Sequence, residues 1–319
     1  MPFDPKRFIQ KSVREIKEQL DGHRAIIAVS GGVDSTVAAM LAAKAIGKNL
    51  LAVYVDTGLM RAGERESVER NLTRAGINLR TIDAGERFLN ALRGVTDPEE
   101  KRKVIGELFV RIFEEQAIDF KAEFLVQGTI APDRIESGVG AGTQVIKSHH
   151  NVAGLPSGMK LRLCEPLKDL YKHEVRAVGK ELGLPESIHQ RQPFPGPGLA
   201  VRIVGEVTRE KVDIARRACA IVEEEVEKAA KAKEIERPWQ YFAALLPVRA
   251  VGVRGDERAH QFVLVVRCVR SLDGMTANFS KIPHDVLERI STRITNEIRE
   301  VGRVVYDITN KPPGTIELE

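Results

Sequence analysis

The order of apolar and polar runs predicts an α/β protein: a doubly wound parallel sheet, followed by a C-terminal α+β module. Three observations carry this. Short apolar runs alternate with stretches of helical length through about the first 130 residues. Three of those runs close on Ser30, Asp56 and Gly128, at the strand ends where ligands of such sheets bind. The style then changes after Gln192-Pro193-Phe194-Pro195-Gly196-Pro197-Gly198, a segment whose prolines and glycines stop regular structure.

Each element follows from local pattern. Residues 25–29 (AIIAV) form the first strand, and 30–36 (SGGVDST) turn the chain into a helix through the apolar residues 37–43. Residues 50–56 (LLAVYVD) read as a buried parallel strand, near-continuously apolar because both faces are covered. A polar helix over 64–74 closes at Gly76, and a third strand covers 79–83. A long helix runs over 98–120, and 124–128 form a fourth strand. Residues 137–160 are Gly-rich and aperiodic, the signature of a lid or of disorder. A helix over 172–182 precedes the Pro/Gly segment, so the domains are expected at 1–192 and 193–319. The second module reads as a charged helix over 208–233, strands over 243–253 and 261–270, a helix over 283–301 opened by a proline, and a strand over 303–307.

The turn at 30–36 carries chemistry. Gly31 and Gly32 lack the Cβ atoms that would keep a phosphate off the backbone, Ser35 or Thr36 can cap the helix, and the first helical amides point into the turn. An anion is the natural occupant. The Lys of G-x-x-x-x-G-K-[ST] is missing, as is the third glycine of G-x-G-x-x-G, which excludes both of those nucleotide loops. A phosphate cradle carrying one carboxylate, Asp34, remains.

Composition narrows the classes. With 319 residues, 43% hydrophobic and 29% charged, the chain can build two cores. A formal charge of +4, from 49 basic and 45 acidic residues, points to neither a nucleic acid nor a membrane and permits an anionic small molecule. The N-terminal residues show no signal-type apolar core and no run reaches membrane-spanning length, so a cytoplasmic protein is expected. Cys164, Cys219 and Cys268 stand alone, with no metal-type spacing, and read as reduced, buried thiols.

The string SGGVDS after a strand resembles the signature of the ATP pyrophosphatase, or PP-loop, family, whose fold is adenine nucleotide α-hydrolase-like. Further strings narrow the resemblance: DPEEKRKVIG at 97–106, QGTIAPD at 127–133, KSHHNV at 147–152, FPGPGL at 194–199 and KPPGTIE at 311–317. Together they are similar to the GMP synthase family, from near Arg7 to the last residue. The N-terminal glutamine amidotransferase of single-chain members has no counterpart here, since no cysteine lies in a glycine-flanked turn. The resemblance therefore implies the synthetase subunit of a two-subunit enzyme, with a C-terminal dimerisation domain, a homodimer and a separate glutaminase partner.

It also implies a reaction: ATP adenylylates the C2 oxygen of XMP, pyrophosphate departs, ammonia attacks C2, and AMP leaves. Charge is the barrier, so cations and amides must surround the phosphates. By resemblance Ser30, Gly31, Gly32, Val33, Asp34, Ser35 and Thr36 hold the pyrophosphate end of ATP, with Asp34 the candidate Mg²⁺ ligand. Ser30 is thereby no nucleophile. Val53 and Asp56 line adenine and ribose, with Val53 equally readable as core, and Gly128 closes the same site. Lys147, His149 and His150 form a lid over the phosphates that supplies positive charge. Arg102, Gln240, Lys311 and Glu317 match the family's XMP contacts, although the Lys101-Arg102-Lys103 run also reads as a solvated face. Leu318 replaces the Trp of the usual Glu-Trp-Glu ending. A PP-loop enzyme that adenylates tRNA is the alternative. It is disfavoured by the lack of paired cysteines and by the acidic residues that interrupt any basic stripe.

Overall fold

A computed structural model describes residues 3–132, 161–185, 191–254, 257–272 and 274–319. The chain packs as two compact units. The first comprises Met1–Asp56, Gly63–Ala84 and Gly106–Arg191, and the second Thr57–Ala62, Gly85–Ile105 and Gln192–Glu319.

In the first unit, helix α1 (Pro5–Leu20) starts beneath Asp4, whose carboxylate accepts the backbone N–H groups of Lys6 and Arg7, with Pro5 in the first turn. Its Ser12, Ile16 and Leu20, spaced by four, are buried. Strands β1 (Ala25–Ala28), β2 (Leu50–Asp56), β3 (Leu79–Asp83), β4 (Phe124–Val126) and β5 (Arg162–Cys164) form one sheet in the order β3-β2-β1-β4-β5. Every neighbouring pair is parallel. Strand β5 gives no sequence signal, because it is a three-residue strand with Arg162 and Leu163 exposed.

Helices α2 (Val33–Ile46), α3 (Glu64–Arg74), α5 (Pro98–Phe120) and α6 (Lys172–Glu181) complete this layer structure, with α4 (Gly85–Ala91) and the start of α5 in the second unit. One face of the sheet (Ala25, Ile27, Ala52, Tyr54, Phe124, Val126) shares a core with Ile16, Leu20, Val37, Leu41, Val175 and Val178 from α1, α2 and α6. Residues of the other parity, Ile26, Leu51, Val53, Val55 and Leu125, are buried too, the two-sided burial that the apolar runs encode. Arg80 of β3 donates to the side chains of Gln116 (2.8 Å) and Asp119 (2.6 Å) on α5. Strand order departs from β1 in both directions, so the switch point lies between β1 and β4, where Ser30 and Gly128 follow the strand ends.

The second unit centres on β6 (Gln240–Arg254), antiparallel to β7 (Glu257–Arg270), with β8 (Asn278–Phe279) antiparallel and β9 (Val301–Tyr306) parallel to β7. Both long strands begin before their expected starts: β7 opens on Glu257-Arg258-Ala259-His260, which carry no apolar signature, and β6 takes in Gln240, Tyr241 and Phe242. The register of β6 on β7 shifts between Leu245 and Arg249, across Pro247, which has no N–H to give to the ladder. Helix α7 (Arg209–Lys231) packs on β6 and is capped by Thr208, whose hydroxyl accepts the Lys211 N–H. Its Val212, Ala215, Cys219, Val222, Val226 and Ala229 make a buried stripe.

Helix α8 (His284–Glu297) ends four residues before its expected limit, and β9 starts two residues early. The spacing Val286, Ile290, Ile294, Ile298 continues the helical period. Ile298, however, is extended (φ −116°, ψ 95°) and delivers its buried side chain from outside the helix. Among the described residues no helix is long and apolar enough to cross a membrane.

Candidate functional site

The cradle lies at the switch point. Gly31 has φ +79°, and a Cβ there would stand 2.5 Å from Glu64 Oε1 and 2.9 Å from Val68 Cγ2, so glycine is demanded by conformation and by space. Gly128 is needed for a different reason: a Cβ would meet the Asp34 carbonyl carbon at 2.9 Å and the Ser35 nitrogen at 3.0 Å, so the chain after β4 lies directly on the first turn of α2. The expected helix cap is not made. Gly32 is the N-cap, and Thr36 and Ser35, already inside the helix, donate their hydroxyls back to the Gly32 carbonyl at 2.8 and 3.2 Å. Serine or threonine caps a helix from the position before it, and glycine holds that place here. The amides of Val33, Asp34 and Ser35 therefore have no intrahelical acceptor, the usual state of a first turn. Ser30 Oγ and Ser35 Oγ lie 3.3 Å apart across the mouth of the turn.

Asp34 has two different oxygens. Oδ2 accepts from Lys172 Nζ at 2.5 Å, whereas Oδ1 is buried and takes no hydrogen bond from any described residue. The carboxylate is 28% exposed. A hard divalent cation fits that free buried oxygen. Among the described residues no group of three or more His, Cys, Asp or Glu gathers. Lys172, at the start of α6, escaped sequence reasoning because it looks like an ordinary exposed helix-terminal lysine 138 residues away.

At the end of β2, Asp56 lies 3.7 Å from Arg65, which also reaches Asp83 (3.4 Å) and Glu69 (3.2 Å). Val53 is fully buried within the sheet, which places its side chain in the core. Glu64, buried beside Gly31, is forked by Arg191 at 2.7 and 2.6 Å. Lys147, His149 and His150 lie outside the described residues.

The second unit holds the other expected residues, and two of the four meet. Gln240 Nε2 donates to Glu317 Oε1 at 2.7 Å, and Arg202 forks the same carboxylate through Nε (3.1 Å) and Nη2 (3.0 Å). Arg202 is fully buried. Burial opposes its charge, but the adjacent Glu317 and Cys219 outweigh that and hold the guanidinium more firmly charged than an ordinary arginine. The bonds of Arg102 and Lys311 go elsewhere. Arg102 donates to the Glu319 carbonyl (2.6 Å) and to Glu99 (3.2 Å), and Lys311 Nζ donates to the Gly274 carbonyl (2.8 Å).

Lys101, expected on a solvated face, is instead fully buried. It pairs with Glu319 and donates to the carbonyls of Ile203 (2.8 Å) and Ala200 (3.4 Å). Helical geometry turns successive residues by about 100°, so one cation of three can face inward while its neighbours stay wet. Arg202 and Arg267 did carry a signal, each being a lone cation inside an apolar run (LAVRIV, VLVVRCV). Arg267 ties the tail down through the carbonyls of Thr309, Thr315 and Ile316 and the Asp307 carboxylate, at 2.7–2.9 Å. The three thiols are free and buried. Burial pushes Cys164 up to about 11 and Cys268 up to about 12, so neither is a reactive thiolate.

A parallel sheet with a glycine-rich, carboxylate-bearing cradle at its switch point places the first unit in the PP-loop class of ATP-using proteins. The NAD synthase family model matches residues 5–199, and the model of the GMP synthase C terminal domain matches residues 224–318. The B subunit of the glutamine-hydrolyzing GMP synthase of Methanocaldococcus jannaschii is 62% identical over 318 residues, covering 99% of this chain and 100% of that one. The protein of the same name from Pyrococcus furiosus is 59% identical, covering 98% and 97%. The glutamine-hydrolyzing GMP synthase of Thermotoga petrophila is 56% identical over 313 residues, covering 98% of this chain and 62% of that longer one. The chain belongs to the GMP synthase family.

Proposed function

We propose that this chain is the synthetase component of a two-subunit GMP synthase, a ligase that forms the C2–N bond of GMP from XMP, ATP and ammonia, releasing AMP and pyrophosphate. The full-length match to proteins that are themselves single subunits of a GMP synthase carries this reading. The match to a GMP synthase C terminal domain also weighs against the tRNA-modifying alternative.

The residues act as holders of charge. The glycine turn and the first-turn amides of Val33, Asp34 and Ser35, which have no intrahelical acceptor, receive the β and γ phosphates, which leave together. Lys172, 2.5 Å from Asp34, adds positive charge where that leaving group develops its own. Mg²⁺, when bound, neutralises phosphate charge, and Asp34 is the residue that would hold it. Asp56, at the neighbouring strand end, accepts from ribose hydroxyls in this reading. In the second unit, Gln240 and Glu317 receive the purine nucleotide, with Arg102 and Lys311 supplying charge toward its phosphate. Lys147, His149 and His150 close over the triphosphate in this reading. Ammonia comes from a separate glutamine amidotransferase subunit, and the chain acts in the cytoplasm as a homodimer through its second unit.

The purified chain should convert XMP to GMP with ATP and ammonium, release AMP and pyrophosphate, and use glutamine only when a glutaminase subunit is added. Release of ADP, or turnover of glutamine by this chain alone, would refute the reading.

A further inference from the structure

We propose that Arg202 is the positioning residue of the acceptor site. It presents the Glu317 carboxylate as a fixed hydrogen-bond acceptor for an N–H or O–H of the purine nucleotide, and so sets the affinity for that substrate and not for ATP. The inference rests on the reading of the second unit as the XMP-binding unit.

The geometry leaves Arg202 little freedom. Its guanidinium lies 4.8 Å from the Phe194 ring centre and 4.3 Å from that of Phe242, and Arg61 lies 4.5 Å from the same Phe194 ring. These aromatic contacts orient the guanidinium. Its Nη1 faces Cys219 Sγ at 3.7 Å, and that thiol donates to the Ala243 carbonyl at 3.2 Å. The remaining edge, Nε and Nη2, forks Glu317, so the plane of the carboxylate follows the plane of the guanidinium.

The backbone of Glu317 is held as well. Arg267 grips the preceding carbonyls of Thr315 and Ile316, and the Thr315 hydroxyl donates to the Glu317 carbonyl at 2.5 Å.

A carboxylate offers about four acceptor positions. Arg202 fills two and Gln240 a third, and the side chain keeps 14% of its surface exposed. What remains for a ligand is an acceptor of fixed direction. Stability alone is a poor explanation for this arrangement, because an ion pair that buries its arginine completely gains little over apolar packing of the same volume. A fork that orients a partly open carboxylate has a use in recognition.

The test is a double-variant cycle on the full chain, with XMP and ATP titrated separately and GMP measured. Arg202→Met and Glu317→Gln should each raise the XMP KM on the order of 10- to 100-fold, more than they lower kcat, and leave the ATP KM close to that of the parent. Combining them should cost no more than about twofold beyond Glu317→Gln alone, because Arg202 acts through Glu317. Arg202→Lys, which keeps the charge and loses the fork, should recover part of the loss, and it carries the cycle if Arg202→Met does not fold. Losses that multiply in the double variant, or an ATP KM that rises as far as the XMP KM, would overturn the proposal. If the parent chain makes no GMP at all, the functional reading falls and takes this inference with it. GMP from the parent with multiplying losses removes the inference alone.

Discussion

In the proposed function the cradle after β1 and the clamp around Glu317 both present charge to a ligand, but they are built from opposite materials. The cradle is backbone: glycines at 31, 32 and 128, the open amides of α2, and one carboxylate, all but Gly128 within seven consecutive residues. The clamp is side chains on side chains. Arg202, Gln240 and Arg267 converge on residues 315–317, and Lys101 converges on Glu319 across 218 residues of sequence. A backbone site survives drift of its neighbours, whereas a side-chain site depends on each member of a buried charge network.

That contrast can be broken at single residues. The largest effect should come from Asp34→Asn, which keeps the shape of the cradle and removes its charge. Pyrophosphate release should fall on the order of 10²- to 10³-fold, with the melting temperature little changed. Retained turnover would show that the cradle needs no carboxylate.

Lys101→Met should act on stability instead. It leaves Glu319 without its cation, and loss of one partner of a buried pair costs about 3–5 kcal/mol, readable by urea unfolding. A loss below about 1 kcal/mol would mean that the pair is solvated.

Lys311→Ala should be milder, raising the XMP KM about tenfold and the ATP KM less, as expected for a charge on the nucleotide phosphate. If ATP affinity alone suffers, the division of substrates between the two units is wrong.

The smallest effect is in pH. Cys164 and Cys268 rise from an ordinary 9.0 to about 11 and about 12 on folding, because burial disfavours the thiolate. A value raised in the folded state means that the stabilisation is full below pH 9 and is lost as pH climbs through 11 to 12. Thiolate absorbance of the native chain should therefore appear about two to three pH units later than that of the chain in denaturant. Coincident titrations would place the thiols in water.

The same contrast explains what the sequence made legible. Strands at 50–56 and 79–83, the helix over 98–120 and the glycine turn after β1 were readable because periodicity and glycine placement are local. The resemblance assigned Glu317 and Gln240 to one site, and their side chains do meet. The roles of Lys101 and Lys172 were hidden, since each is decided by a partner more than 100 residues away. Lys101 sits among other cations, with nothing to distinguish the inward member of the run. Arg202 was within reach, because a cation inside LAVRIV must either break the run or find a buried partner. The end of α8 was misplaced because Ile298 keeps the helical spacing while its backbone leaves the helix.

In the proposed reaction ATP activates the C2 oxygen of XMP, and this oxygen leaves with AMP. Turnover of XMP carrying ¹⁸O at C2 tests it most directly, with ammonium as nitrogen donor and mass analysis of the products. The label should appear in the phosphate of AMP, with pyrophosphate unlabelled. Label in pyrophosphate, or in water with AMP unlabelled, would contradict it.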